Sequence, residues 1–224
     1  MSGIYIHIPY CKKACHYCNF HFSTNQNSKS SFIKAVCKEL QLRSPEYGSQ
    51  EIQTIYFGGG TPTVLEVSEL TSILDVVYEV YNVSPAPEIT LEANPDDLDL
   101  EKIIAISKTK INRLSIGIQS FHEADLLAMN RAHNADEAKK CLEVATKYFD
   151  NITIDLMFGM PAMTVELWRQ NLQTAFGFGI KHLSCYAMTV EPQTALEHFI
   201  KKGSHPPMDD ELAAQHFKVL IEET

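Results

Sequence analysis

Ile4-Tyr5-Ile6-His7-Ile8-Pro9-Tyr10-Cys11-Lys12-Lys13-Ala14-Cys15-His16-Tyr17-Cys18 combines a short β-branched run, a proline that closes it, and three cysteines spaced C-x3-C-x2-C. The run at 4–8 reads as a buried strand, because alternating and continuous apolar residues over so few positions suit a pleated chain better than a helix. The cysteines then fall in the loop immediately after that strand.

The same signal recurs at Gln53-Thr54-Ile55-Tyr56-Phe57, Glu88-Ile89-Thr90-Leu91, Arg113-Leu114-Ser115-Ile116-Gly117-Ile118, Ile152-Thr153-Ile154-Asp155-Leu156 and His182-Leu183-Ser184-Cys185-Tyr186. Between these runs, apolar residues return at helical spacing: Ile33, Val36, Cys37 and Leu40; Leu70, Ile73, Leu74 and Val77; Ala138, Cys141, Leu142 and Ala145; Trp168, Leu172 and Ala175. Asn134 with Glu137 three residues later, and Thr164 after Pro161, read as helix starts. Strand then helix, repeated about six times, predicts an α/β fold with a parallel sheet, since parallel neighbours need a crossover. An open doubly wound sheet and a barrel both satisfy the pattern. A complete eight-unit barrel takes about 250 residues, so six units in 224 residues predict an incomplete (β/α)6 TIM-like barrel. We expect residues 1–200 to form this core and residues 201–224 to be a last helical segment opening a truncated C-terminal region.

Composition narrows the function. The chain is 45% hydrophobic and 21% charged, as in ordinary globular proteins rather than disordered or collagenous ones. With 19 basic and 28 acidic residues the net charge is −9, and no basic run exists to engage nucleic-acid phosphates. No stretch reaches the roughly 18 apolar residues of a transmembrane helix, and the N-terminus lacks a secretory signal pattern. These features predict a cytoplasmic protein with no transmembrane segment, in which thiols stay reduced and available to metal.

Cys11, Cys15 and Cys18 form a soft ligand set that admits zinc or an iron–sulfur cluster. A zinc site needs a fourth ligand, for which His16 and His21 are the nearby candidates; a four-iron cluster on three thiolates leaves one iron open. A glycine turn, Gly58-Gly59-Gly60-Thr61-Pro62-Thr63, follows the second strand. Polar residues stand at the ends of later strands: Glu92, Gln119 and Asp155. Strand interiors favour apolar residues, so three such exceptions after successive strands point to one ligand at the barrel mouth. Cys37, Cys141 and Cys185 read as buried packing residues, and no histidine stands out as a heme ligand.

Five ordered blocks resemble the radical S-adenosylmethionine (SAM) superfamily: Tyr5-Ile6-His7-Ile8-Pro9-Tyr10-Cys11, Gly58-Gly59-Gly60-Thr61-Pro62-Thr63, Leu91-Glu92-Ala93-Asn94-Pro95, Arg113-Leu114-Ser115-Ile116-Gly117-Ile118-Gln119 and Ile154-Asp155-Leu156-Met157-Phe158-Gly159-Met160-Pro161. The blocks are similar to those shared by oxygen-independent coproporphyrinogen III oxidases and HemW-type heme chaperones. The resemblance implies a radical-SAM-type barrel in which Cys11, Cys15 and Cys18 hold a [4Fe–4S] cluster whose fourth iron is chelated by SAM. It further implies that Tyr17 contacts adenine and that Gly59, Gly60 and Thr61 bind the methionine end. Tyr5, Glu92, Gln119 and Arg131 would be polar neighbours, and Asp155, Met157 and Ala187 would line the ribose and adenine side. The radical would be generated on SAM, so no side chain is assigned as catalytic. Implied partners are heme or a porphyrinogen, an electron donor such as a flavodoxin or ferredoxin, and a heme-acceptor protein.

Two departures choose between the branches. The oxidases carry a fourth cysteine two residues after the third, where this chain has Phe20, and they carry an extension before the first strand. Both point to the HemW-like heme-chaperone branch, with porphyrinogen decarboxylation to vinyl groups as the enzymatic alternative.

Overall fold

The structure, a computed structural model, describes residues 2–224. Six parallel strands stand side by side in chain order: β1 (Ser2–Ile8), β2 (Glu51–Gly59), β3 (Asn82–Ala93), β4 (Arg113–Gln119), β5 (Ile152–Phe158) and β6 (His182–Ala187). A doubly wound sheet reverses its strand order at a switch point; this one never does, so crossovers of one hand leave the helices on one face. β1 and β6 are the two edges, and the barrel stays open between them.

The helices are α1 (Lys29–Tyr47), α2 (Val67–Val80), α3 (Leu100–Ser107), α4 (Glu123–Ala128), α5 (Ala135–Tyr148), α6 (Val165–Gly177), α7 (Ala195–Lys201) and α8 (Asp210–Glu223). Their apolar faces meet the outer face of the sheet, where Phe57, Leu91, Ile116 and Ile154 pack in one core with Leu70, Leu142, Trp168 and Leu172, all fully buried. The expected starts of α5 and α6 hold. Asn134 and Glu137 form a reciprocal capping box, and Thr164 accepts from the Leu167 N–H. α3, α4 and α7 leave no clear signal in the sequence, because they are too short for a helical period to repeat.

β3 begins earlier than its apolar run at 88–91 suggests, because Pro85 and Pro87 interrupt the pattern. They lie where the pairing slips, between Val83 opposite Ile52 and Glu88 opposite Thr54. Proline donates nothing to a ladder, and a bulge is where a sheet tolerates it. One packing expectation is corrected: Cys141 is buried, whereas Cys37 and Cys185 are only half-buried.

α8, in the segment 201–224, is fastened to the barrel. Its buried His216 accepts from the Gly159 N–H through Nδ1 (3.0 Å), the His216 carbonyl accepts from Trp168 Nε1 (2.9 Å), and Arg169 pairs with Glu223 (2.8 Å). Among the described residues no helix is long and apolar enough to cross a membrane.

Candidate functional site

Parallel strands all point their C-terminal ends to the same rim, and there a cavity of about 580 Å³ opens, a size that suits a cofactor or small ligand. Its walls include Cys11, Cys15, Tyr17 and Cys18 from the loop after β1, Gly59, Gly60 and Thr61 after β2, and Glu92, Gln119, Arg131, Asp155, Met157 and Ala187. Strand alternation explains the selection: Asp155 and Met157 face the cavity, while Ile154, Leu156 and Phe158 join the core on the opposite face.

The cysteine loop is tied down along its length. Lys12 pairs with Asp97 (2.5 Å) and Asp96 (3.2 Å), Asn130 Nδ2 donates to the Ala14 carbonyl (2.7 Å), and the His16 N–H donates to the Met129 carbonyl (3.0 Å). Asn19 Nδ2 reaches Glu191 (3.0 Å), and the Leu196 N–H donates to the His16 carbonyl (2.8 Å). Burial, and secondarily the neighbouring sulfurs, push the Cys11 and Cys18 thiols up. Such thiols stay protonated until a metal centre displaces the protons.

The glycine turn serves two ends. Gly60 N–H donates to the Ile8 carbonyl (2.8 Å), Thr61 N–H to the Tyr10 carbonyl (2.7 Å), and Gly59 N–H to Glu92 Oε2 (3.1 Å). With all three N–H groups used inside the protein, the carbonyl oxygens are what this turn can offer a ligand, which suits a cationic amine.

Glu92 and Asp155 carry most of the cavity's negative charge. Burial raises the Glu92 carboxyl, against hydrogen bonds from the Tyr56 hydroxyl (2.7 Å) and the Gly59 N–H. Burial, with repulsion from Glu92 added, pushes Asp155 up to about 6. A positive ligand between these carboxylates would relieve both penalties.

Opposite them, Arg131 Nη2 donates to Asn94 Oδ1 (2.6 Å) and the Gly117 carbonyl (2.7 Å), and Nη1 lies 3.4 Å from both the Cys15 sulfur and the Tyr17 hydroxyl. Burial works against the guanidinium charge, but Tyr17 and Cys15 outweigh it and the Arg131 pKa rises. Burial also raises the Tyr17 hydroxyl, which stays neutral.

Gln119 sits at φ 66°, a left-handed conformation uncommon outside glycine and held only where surroundings over-determine it. A buried network does so. The Phe121 N–H donates to Asn171 Oδ1 (2.7 Å), Asn171 Nδ2 to Ser120 Oγ (3.2 Å), and Ser120 Oγ to Asp125 Oδ2 (2.6 Å). Asn171→Ala strands the Phe121 N–H and is expected to cost about 2–3 kcal/mol. Urea unfolding should show a lower midpoint with an unchanged slope.

Of the residues that the resemblance implies around SAM, Tyr5 alone is absent from the cavity wall. It is 59% exposed, stacks on Tyr56 and bonds its hydroxyl to His7 Nδ1 (3.2 Å). The zinc alternative loses its fourth ligand: His16 turns away, bonded to the Ala128 carbonyl (3.0 Å) and edge-on to Phe199, and His21 is not in the wall either. Among the described residues no group of three or more His, Cys, Asp or Glu side chains converges at single-ion distances. Cys11, Cys15 and Cys18 line the cavity together, and three soft sulfur ligands facing one space suit an iron–sulfur cluster. Asn94, which orients both Arg131 and Thr61 (Nδ2 to Oγ1, 3.1 Å), was not singled out from the sequence. Its place beside Pro95, directly after Glu92-Ala93, was the available signal.

An open barrel of six parallel strands with a three-cysteine loop and an acidic, glycine-edged cavity at its C-terminal mouth defines a cofactor-binding α/β protein. The sequence matches the Radical SAM superfamily over residues 5–189, and the chain belongs to that superfamily, whose members use a [4Fe–4S] cluster and SAM. It is 34% identical to the heme chaperone HemW of Bacillus subtilis (strain 168), covering 99% of this chain and 59% of that protein. Among solved structures, coproporphyrinogen III oxidase (HemN) from Escherichia coli superposes with a TM-score of 0.88 at 24% identity, covering 98% of this chain and 51% of that one. The methyltransferase TsrM from Kitasatospora setae, solved with cobalamin and a [4Fe–4S] cluster bound, superposes at 0.63 with 11% identity, covering 92% and 41%. At these identities the two structures bear on fold alone. The chain spans between half and three fifths of the length of the HemW and HemN proteins, and 41% of TsrM.

Proposed function

We propose that this chain is the SAM-binding core of a HemW-type heme chaperone. Cys11, Cys15 and Cys18 would hold a [4Fe–4S] cluster. Carbonyls of the Gly59–Thr61 turn, with Glu92, would take the amine of SAM, and Arg131 its carboxylate. Tyr17, Asp155, Met157 and Ala187 would border the nucleoside, with Gln119 as a polar neighbour; Tyr5 would act only indirectly, through His7 and Tyr56. When bound, the cluster and SAM together supply one-electron chemistry, and the protein's part is to orient SAM and keep water from it. Residues 1–200 would be this core and 201–224 the start of a C-terminal region; free thiols suit a cytoplasmic, reducing setting.

The observation that carries the choice of branch is Phe20. Where the oxidases place a fourth cysteine, this chain puts an aromatic side chain on the cavity wall, 69% exposed, which can offer an apolar surface to a flat ligand but no thiolate. Heme or a porphyrinogen, an electron donor of the flavodoxin or ferredoxin kind, and a heme-accepting protein would be its partners.

Anaerobic reconstitution with iron and sulfide, followed by electron paramagnetic resonance with and without SAM, tests the cofactor assignment. A four-iron signal that changes when SAM is added is expected; a zinc-only protein insensitive to SAM would refute it. Heme titration alongside coproporphyrinogen turnover tests the branch. Heme binding without turnover is expected, and SAM-dependent decarboxylation would give the oxidase reading instead.

A further inference from the structure

Each of the three cavity sulfurs meets one hydrogen-bond donor, and each donor comes from a different part of the fold. The Thr61 hydroxyl donates to Cys11 Sγ (3.5 Å), Arg131 Nη1 donates to Cys15 Sγ (3.4 Å), and the Phe20 backbone N–H is the partner of Cys18. Only the second donor is charged. Its guanidinium is held from behind by Asn94 Oδ1 (2.6 Å) and the Gly117 carbonyl (2.7 Å), and its buried Nε has no partner. None of the ion pairs among the described residues includes Arg131. Two carboxylates, Asp96 and Asp155, act on it only through space, and Asp96 is itself paired with Lys12 (3.2 Å). A fixed positive charge in low-dielectric surroundings, aimed at a sulfur and paired with no carboxylate, favours whichever state of that sulfur's centre carries more negative charge.

We propose that Arg131 sets the reduction potential of the cluster held by Cys11, Cys15 and Cys18, with Thr61 as a weaker, neutral contributor. The proposal rests on the cluster reading above. Reduction adds one electron, taken from the donor, and therefore one negative charge spread over iron and sulfur. A charge-assisted hydrogen bond strengthens with that charge more than a neutral one does, and hydrogen bonds to the sulfurs are among the levers that fix cluster potentials. Gly117 keeps the space this requires. A Cβ there would stand 3.2 Å from Arg131 Nη2 and 3.2 Å from Asn94 Oδ1, crowding the anchor of the guanidinium.

The test is a potentiometric titration of the reconstituted full chain without SAM, followed by electron paramagnetic resonance, on the wild type, Arg131→Met, Arg131→Lys, Thr61→Val and Thr61→Ser. At the wild-type midpoint, Arg131→Met is expected to show a reduced-to-oxidised ratio about tenfold lower, which for a one-electron couple is a 59 mV shift to more negative potential. Arg131→Lys should recover part of that shift, Thr61→Val should shift less in the same direction, and Thr61→Ser should match the wild type. An unshifted Arg131→Met overturns the proposal. Should Arg131→Met fail to hold a cluster, the threonine pair decides, and equal midpoints for Thr61→Val and Thr61→Ser overturn it. A wild-type chain that assembles no four-iron cluster removes the cluster reading and the proposal together, whereas unshifted potentials on intact clusters remove the proposal alone.

Discussion

Gly60→Ala is expected to destabilise the fold by about 3–4 kcal/mol, near the upper end of single substitutions, and to abolish cluster assembly with it. A Cβ at this position would lie 2.7 Å from the Tyr10 carbonyl oxygen, 2.9 Å from the Ile8 carbonyl oxygen and 2.9 Å from the Tyr10 nitrogen. All three are backbone atoms, so no rotamer change can clear the clash. Relief requires the end of β1 to move away from the β2 turn, which breaks the Gly60 N–H to Ile8 and Thr61 N–H to Tyr10 bonds. Tyr10 precedes Cys11, so the same movement carries the first of the three proposed cluster ligands out of place. Urea unfolding measures the first effect, and iron per chain after reconstitution measures the second. An alanine variant with wild-type midpoint and iron content would show that the β1–β2 junction is looser than its geometry indicates.

The pH dependence of Asp155 is the second large effect. Its carboxyl titrates near 3.8 when unfolded and near 6 in the folded protein, chiefly through burial and then through Glu92, against a bond from Ser184. A folded-state pKa above the unfolded one means that the folded chain holds the proton more tightly. The stabilisation is therefore fully present below pH 3.8 and is lost as pH rises through 6, a change of about 3 kcal/mol. Asp155→Asn should remove that slope and raise the stability of the ligand-free protein at pH 7 by up to about 3 kcal/mol. On the proposed function, SAM affinity should run the other way. Its sulfonium and amine favour ionised Asp155, so calorimetric affinity should rise from pH 5 to 7 in the wild type and stay nearly level in Asp155→Asn. A wild-type affinity that falls over that interval would place the positive ligand elsewhere.

These two residues also mark where sequence reading succeeds. Asp155 stands out in Ile152-Thr153-Ile154-Asp155-Leu156 because a charge interrupts a buried run, and period-two alternation then turns it to the face opposite Ile154 and Leu156. Gly60 stands out as one of three consecutive glycines, although the resemblance implies for it a contact with the methionine end of SAM. Its first duty proves to be the close approach of β1 and β2. Asn94 and Asn171 went unread, because an asparagine carries no periodic signal and acquires its role from partners 37 and 51 residues away, Arg131 and Ser120.

Six strands, the five long helices, the parallel α/β class and the cysteine triplet are legible in the sequence alone, since all of these rest on local spacing and residue type. Only the packing of distant segments settled that His16 faces away from the cavity, that Tyr5 lies outside its wall, and that Arg131 reaches the Cys15 sulfur. Each of these is a contact or an orientation between residues distant in the chain. Local pattern specifies which face a side chain takes on its own element, whereas the partner it meets is set by how the elements pack.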